Sequence, residues 1–181
     1  MTTGHTASYQ PAAVRIGSVG FDNVLAKNCI IKGANEYGLY IENGSHTTCL
    51  NCQFTDASIT NILLEAAKAC VIKSCKISDA LGSGVIVQSA ANGNAIVACE
   101  VSNNGQNGIV VVEGAQKNQI IKNDVFDNAN YGILNSDSST ATLYNISCNN
   151  AVSDCPMSGI SPEQAPGVAT VVPGSNVCCV P

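Results

Sequence analysis

The sequence predicts an all-β chain wound as a parallel solenoid of about six coils, with 23–24 residues per coil. Three observations carry that prediction. Cysteines stand at 29, 52, 75 and 99, Asn123 follows, and the intervals are 23, 23, 24 and 24. The same drift runs through Leu39, Ile62, Val85, Ile109 and Ile133, and through Ile31, Phe54, Ile77, Val101 and Val125. It also runs through Ile41, Leu64, Val87 and Val111, and breaks only at Asn135. Columns that share one drifting period mark a structural repeat. Next, each unit holds short stretches in which apolar and polar residues alternate, the signature of strands. Last, the chain is 45% hydrophobic but only 4% aromatic, without Trp, so the core must be layered from Ile, Val, Leu, Ala and Cys.

The elements follow in chain order. Residues 1–13 are expected to be a flexible N-terminal segment. Arg15-Ile16-Gly17-Ser18 reads as a strand one unit before Leu39, so the β-helix is expected over 14–139. Each unit runs apolar-x-x-(Cys/Asn)-x-apolar-x-(Asp/Asn), then a polar turn, then Gly-apolar-x-apolar; VIKSCKISDALGSGVIV (71–87) is one example. Two alternating stretches per unit predict two short strands per coil. Gly38, Gly84, Gly108 and Gly132, with Asn61 once, open the second strand and are expected to be left-handed, a conformation Gly and Asn tolerate. The column Cys29, Cys52, Cys75 and Cys99 is expected inside, its thiols acting as small apolar groups. After Asn135 the pattern weakens: Leu143, Ile146, Gly159-Ile160 and the apolar run at 167–172 are its last traces. Five of the six prolines follow, so 140–181 is expected to be a last degenerate coil and a Pro/Cys-rich C-terminal cap.

The stretches IKSCKISDALGSGV, AIVACEVSNNGQNGI and IIKNDVFDNANYGI resemble the repeats of the pectin-lyase-like superfamily. The resemblance covers about residues 14–160 and implies a right-handed, single-stranded parallel β-helix. It also implies an extracytoplasmic or cell-surface setting. Its known members include pectate lyases, polygalacturonases and epimerases, so catalytic equipment must be sought residue by residue. Lyases of this kind use Arg or Lys as the base, often with calcium held by carboxylates. Arg15 is the lone arginine and has no acidic cluster near it in sequence. The hydrolase motifs (asparagine-threonine-aspartate, paired aspartates, glycine-histidine-glycine) are missing, and the two histidines are His5 and His46.

Four groups of candidates remain. Asp56, Asp79, Asn103 and Asp127 each follow the Cys/Asn column by four residues and form an acidic column. Asp56 and Asp79 are the catalytic candidates, and with Asp127 they are the candidates for holding calcium, which takes several oxygen ligands. The plainer reading is that Asp and Asn close a turn in each coil. Tyr37, Tyr40, Tyr131, Lys73 and Lys76 project outward as binding candidates, because tyrosine rings on a flat sheet can stack on sugars. His46, Cys49, Cys52, Cys70 and Cys75 have a zinc-like spacing, yet Cys52 and Cys75 already belong to the repeat. Cys148, Cys155, Cys178 and Cys179 lie in the tail and are disulfide candidates, or free thiols in a reducing compartment. An adjacent pair such as Cys178-Cys179 would be strained if joined to itself.

The net charge of −5 argues against nucleic acid, which demands a basic face. No apolar run approaches the ~20 residues of a membrane span, and the start MTTGHTASYQPAA lacks the layout of a signal peptide. A noncatalytic module that binds glycans or a protein partner, or a structural segment of a larger surface protein, is the expected function. The alternative is a divergent polysaccharide lyase or hydrolase acting on an acidic polysaccharide. An open first coil also offers a route to self-association.

Overall fold

The computed structural model describes residues 12–17, 22–112, 114–135, 146–148, 150–153 and 177–179. The segment up to 11, Leu143, Cys155, Gly159-Ile160 and the run at 167–172 lie outside them. Three sheets make up the described chain, and every strand pairs in parallel with its counterpart one coil away. Sheet A contains β1 (Ala12–Gly17), β4 (Tyr37–Glu42), β7 (Thr60–Glu65), β10 (Val85–Gln88), β13 (Ile109–Val111) and β16 (Ile133–Asn135). Sheet B contains β2 (Leu25–Lys27), β5 (Thr48–Leu50), β8 (Val71–Lys73), β11 (Ala95–Val97), β14 (Gln119–Ile121), β17 (Ile146–Cys148) and β19 (Val177–Cys179). Sheet C contains β3 (Ile30–Lys32), β6 (Gln53–Thr55), β9 (Lys76–Ser78), β12 (Glu100–Ser102), β15 (Asp124–Phe126) and β18 (Ala151–Ser153). The six strands of sheet A enclose five full turns. This is an all-β parallel solenoid.

A coil therefore has three strands rather than the expected two. The run VIKSCKIS is interrupted at Ser74, whose φ of 52° turns the chain from β8 into β9. Ile72, Cys75 and Ile77 all point inward, at 0%, 2% and 0% exposure. Strict alternation would place 72, 74 and 76 on one face, so the left-handed residue shifts the phase by one. Asn28, Asn51, Ala98 and Lys122 hold the same corner in the other coils with the same sign of φ.

The glycine column also behaves differently from the expectation. Gly38, Gly84 and Gly108 are absent from the positive-φ residues; among the described glycines those are Gly33, Gly93 and Gly114. Space, not conformation, demands glycine here. A Cβ on Gly84 would stand 2.7 Å from the Gly108 carbonyl oxygen and 2.7 Å from Val101 Cγ1. Left-handed backbone falls instead on the acidic column: Gly33, Asp56, Asp79, Asn103 and Asp127 all have φ between 54° and 68°.

The first coil needs one more correction. Val14 lies opposite Leu39 and Ile16 opposite Ile41, two residues away from the expected register. A shift of two leaves each side chain on its own face, so Ile16 still points inward at 7% exposure. At the other end, β17 and β18 continue sheets B and C, and Val152 extends the Val125 column.

The core is a stack of columns. Ile41, Ile62, Leu64, Val85, Val87, Ile109, Val111 and Ile133 from sheet A are all 0% exposed, and Phe54 from sheet C is the one ring in the core cluster of the described residues. Where inward positions meet a corner, asparagines form ladders. The Oδ1 of Asn118 accepts the backbone N–H and the Nδ2 of Asn94, both at 2.9 Å, while its own Nδ2 donates to the Ala91 carbonyl at 3.1 Å. Asn104 with Asn128, and Asn123 with Asn150, repeat the pattern at the other two corners. The cysteine column occupies this ladder position earlier in the chain. Cys99 donates its thiol proton to the Val97 and Ile72 carbonyls, at 3.4 and 3.5 Å, and its N–H donates to Asn123 Oδ1 at 2.9 Å. These thiols thus bond as well as fill space.

Candidate functional site

Sheet A has an outer face, and its residues are fixed by the inner ones. Leu39 and Ile41 point inward, so Tyr40 between them points out. The register then aligns Arg15, Tyr40, Leu63, Ile86, Val110 and Leu134 in one outer row. Glu42, Glu65 and Gln88 follow each other in the row on one flank. Tyr37 pairs with Thr60 on the other flank, and the coil period continues that row through Ser83 and Asn107 to Tyr131.

Side chains on this face engage one another at the N-terminal end. The Arg15 guanidinium bonds to Glu42 Oε2 and sits 5.4 Å from the centroid of the Tyr40 ring. The Tyr40 hydroxyl donates to Glu65 Oε2, and Ser89 Oγ donates to Glu65 Oε1 at 3.3 Å. Tyr37 and Tyr40 pack with ring centroids 5.4 Å apart and planes tilted by 47°. Burial, with the Glu65 carboxylate beside it, holds the Tyr40 phenol well above its ordinary range. It remains a proton donor, and a poor base, through neutral pH.

Further along the same face is a notch of about 190 Å³, lined by Ser58, Ile59, Thr60, Leu81, Gly82, Ser83, Ile86 and Gln106. Leu81 is 74% exposed and Ile59 42%, so the rim is apolar. Thr60 is 1% exposed, and its hydroxyl finds no partner among the described residues.

The binding candidates divide between faces. Tyr37 and Tyr40 are together, and Tyr131 stands in the Tyr37 row four coil steps on, at ~4.8 Å per step. Lys73 is on sheet B and Lys76 on sheet C, where Lys76 Nζ pairs with Glu100 Oε1 at 2.9 Å. The tyrosines and lysines therefore lie on three sheets and not on one surface, because left-handed residues at the corners of each coil turn sheets B and C away from sheet A. Arg15, Glu42 and Glu65 were missed as partners of Tyr40. Their signal was present in the period, since 42 and 65 differ by one 23-residue unit.

Asp56 pairs with Lys32 Nζ at 3.4 Å. Asp79 Oδ2 accepts from Ser78 Oγ at 2.6 Å and Thr55 Oγ1 at 3.3 Å. Among the described residues no group of three or more His, Cys, Asp or Glu is placed to hold a metal ion. The zinc spacing fails for a simple reason: His46 is exposed, while Cys49, Cys52, Cys70 and Cys75 are buried. Burial raises the Cys49 thiol to about 12, and Cys75 is raised by its hydrogen bond with Cys99 and by burial. In the tail, Cys148 lies in register with Cys179 across β17 and β19, and Ser147 with Cys178.

A family model described as "Right handed beta helix region" matches residues 11–152. No curated protein matches the sequence. A variant of the periplasmic alginate epimerase AlgG superposes with a TM-score of 0.75 at 11% identity, over 88% of this chain and 39% of that one. The mannuronan C-5 epimerase AlgE4 A-module of Azotobacter vinelandii gives 0.65 at 15% identity, over 90% and 48%. The enzymatically active domain of bacteriophage CBA120 tailspike protein 2 gives 0.57 at 16% identity, over 83% and 25%. The chain spans less than half the length of each of these neighbours. At such identities the likeness is one of fold.

Proposed function

This chain belongs to the right-handed β-helix family, and from that premise we propose that the outer face of sheet A binds glycans without turning them over. One observation carries the reading: on the outer side of sheet A the half-buried Tyr37 ring packs on Tyr40, itself only 9% exposed, beside the half-buried Glu42 and Glu65 carboxylates. A ring face offers apolar contact to the C–H side of a sugar, and carboxylates accept bonds from its hydroxyls. The pair is held in place by Arg15 and Glu65, so little side-chain freedom is lost on binding. Two of the structural neighbours are named for activities on alginate or mannuronan, which supports a sugar ligand. The phenol of Tyr40 stays protonated, and Asp56 and Asp79 are engaged by Lys32, Ser78 and Thr55. That arrangement suits binding better than proton abstraction.

Affinity electrophoresis of the whole chain through gels containing different polysaccharides tests the reading. At least one polysaccharide should retard the protein, and Tyr37→Ala should weaken retention about tenfold or more, as loss of an aromatic anchor does. A blank panel sinks the proposal. Turnover of a retained polysaccharide that disappears in Asp79→Asn would replace it with an enzymatic function; Asn is the right substitution because it tolerates the φ of 61° found there.

A further inference from the structure

We infer that the glycan taken by the outer face of sheet A is neutral rather than a polyuronate; the inference rests on the glycan-binding reading above. Charge is sorted between the faces of this solenoid. The strands of sheet A and the described turns leading into them carry Glu36, Glu42, Glu65, Asp79 and Asp127, and Asp56 paired to Lys32 of sheet C, against one cation of their own, Arg15. Arg15 is already bonded to Glu42 and packed on Tyr40. All seven lysines lie elsewhere: Lys27 and Lys73 on sheet B, Lys32 and Lys76 on sheet C, and Lys68, Lys117 and Lys122 at the corners bounding sheet B. A uronate chain laid along sheet A would bring a carboxylate per sugar against this acidic face, with no free guanidinium or ammonium to meet it. Like charges placed opposite one another are a strong means of rejecting a ligand.

What the face does offer is acceptors and apolar contact. Glu42 and Glu65 can accept hydroxyl protons, the half-buried Tyr37 ring backed by Tyr40 supplies apolar contact, and Ile59 and Leu81 rim the notch. The buried, unpartnered hydroxyl of Thr60 in the notch lining is an independent sign that polar contact is incomplete in the unliganded protein. Tyr37 and Tyr131 stand at the two ends of one row, four coil steps apart, or roughly 19 Å. That distance suits an oligosaccharide of several units lying along the solenoid axis with an aromatic ring at each end.

The test is calorimetric titration of the whole chain with two series of oligosaccharides of equal length. One series is neutral (gluco-, manno- and galacto-oligosaccharides) and one is uronic (oligogalacturonate, alginate fragments). Each is run once with EDTA and once with calcium chloride. The expected result is that at least one neutral series binds and the uronic series binds at least about tenfold more weakly, in both buffers. Glu42→Gln with Glu65→Gln, checked for unchanged melting, should narrow that gap. Uronate binding equal to or tighter than neutral binding overturns the inference and leaves the glycan reading standing. If the preference for uronate appears only with calcium, the carboxylates hold a bridging cation and the inference is equally overturned. Binding of neither series, with Tyr37→Ala indistinguishable from the parent chain, removes the glycan reading itself.

Discussion

At the scale of single residues, this chain separates two demands that a sequence pattern tends to merge. One is space: Gly84 and Gly108 have no room for a Cβ, because the next coil's carbonyl and a core valine methyl lie within 2.7 Å of it. The other is conformation: Ala69, Ala98, Ser74 and Lys117 hold left-handed φ values between 52° and 55° although their side chains disfavour it. A left-handed residue with a Cβ costs roughly 1–2 kcal/mol, and Gly returns some of that as entropy of the unfolded chain. Ala98 is exposed and loses no core packing on truncation. Opposite outcomes are therefore expected from two exchanges of the same residues. Ala98→Gly should raise stability by about 0.5–1 kcal/mol, and Gly84→Ala should lower it by about 1–3 kcal/mol. Urea midpoints of the two variants decide the matter. A destabilised Ala98→Gly would show that the corner is not strained.

At the scale of the element, the ladder is the unit that makes one coil specify the next. Each asparagine side chain bonds to the coil before it, as Asn118 does to Asn94 and to Ala91. Removing it leaves buried amide groups without partners, at about 1–3 kcal/mol each, so Asn118→Ala should cost more than about 2 kcal/mol. Cys99 makes the weaker thiol version of the same contacts, reaching the Ile72 carbonyl as Asn123 reaches Ile96. Cys99→Asn is thus expected to fold with its melting point preserved, while Cys99→Leu loses the bond to the carbonyl and crowds the column. Thermal melts of the two variants check this. The columns were legible in the sequence because inward side chains contact their own copies one period away. The third strand was not, because a left-handed Ser74, Ala98 or Lys122 leaves no compositional mark where Asn51 does. The Tyr40 site was half legible: its tyrosines were visible as outward residues, but Arg15 joins it through a first coil two residues longer than the coil that follows.

At the scale of the whole molecule, the fold's stability is tied to four buried thiols, from more than one column, that are held protonated. Cys49, Cys52, Cys70 and Cys75 are raised above their ordinary range, chiefly by burial, with the Cys99 hydrogen bond leading for Cys75. A solenoid has little outside the stack to compensate for damage within it, since each coil is supported only by its neighbours. The pH dependence follows from linkage. Cys49 ionises near 9.0 in the unfolded chain and near 12 in the folded one. Between those values the unfolded state has released the proton and the folded state has not. Fewer bound protons in the unfolded state mean that stability falls as pH rises. The loss starts near pH 9 and grows toward pH 12, at up to about 1.4 kcal/mol per pH unit for one such thiol. Below pH 8 these thiols contribute no slope. Urea midpoints measured from pH 7 to pH 11 should therefore be flat at first and then fall, and Cys49→Val should make the fall shallower. A Cys49→Val chain that loses stability with alkali as steeply as the parent would show that the buried Cys49 thiol does not govern alkaline unfolding.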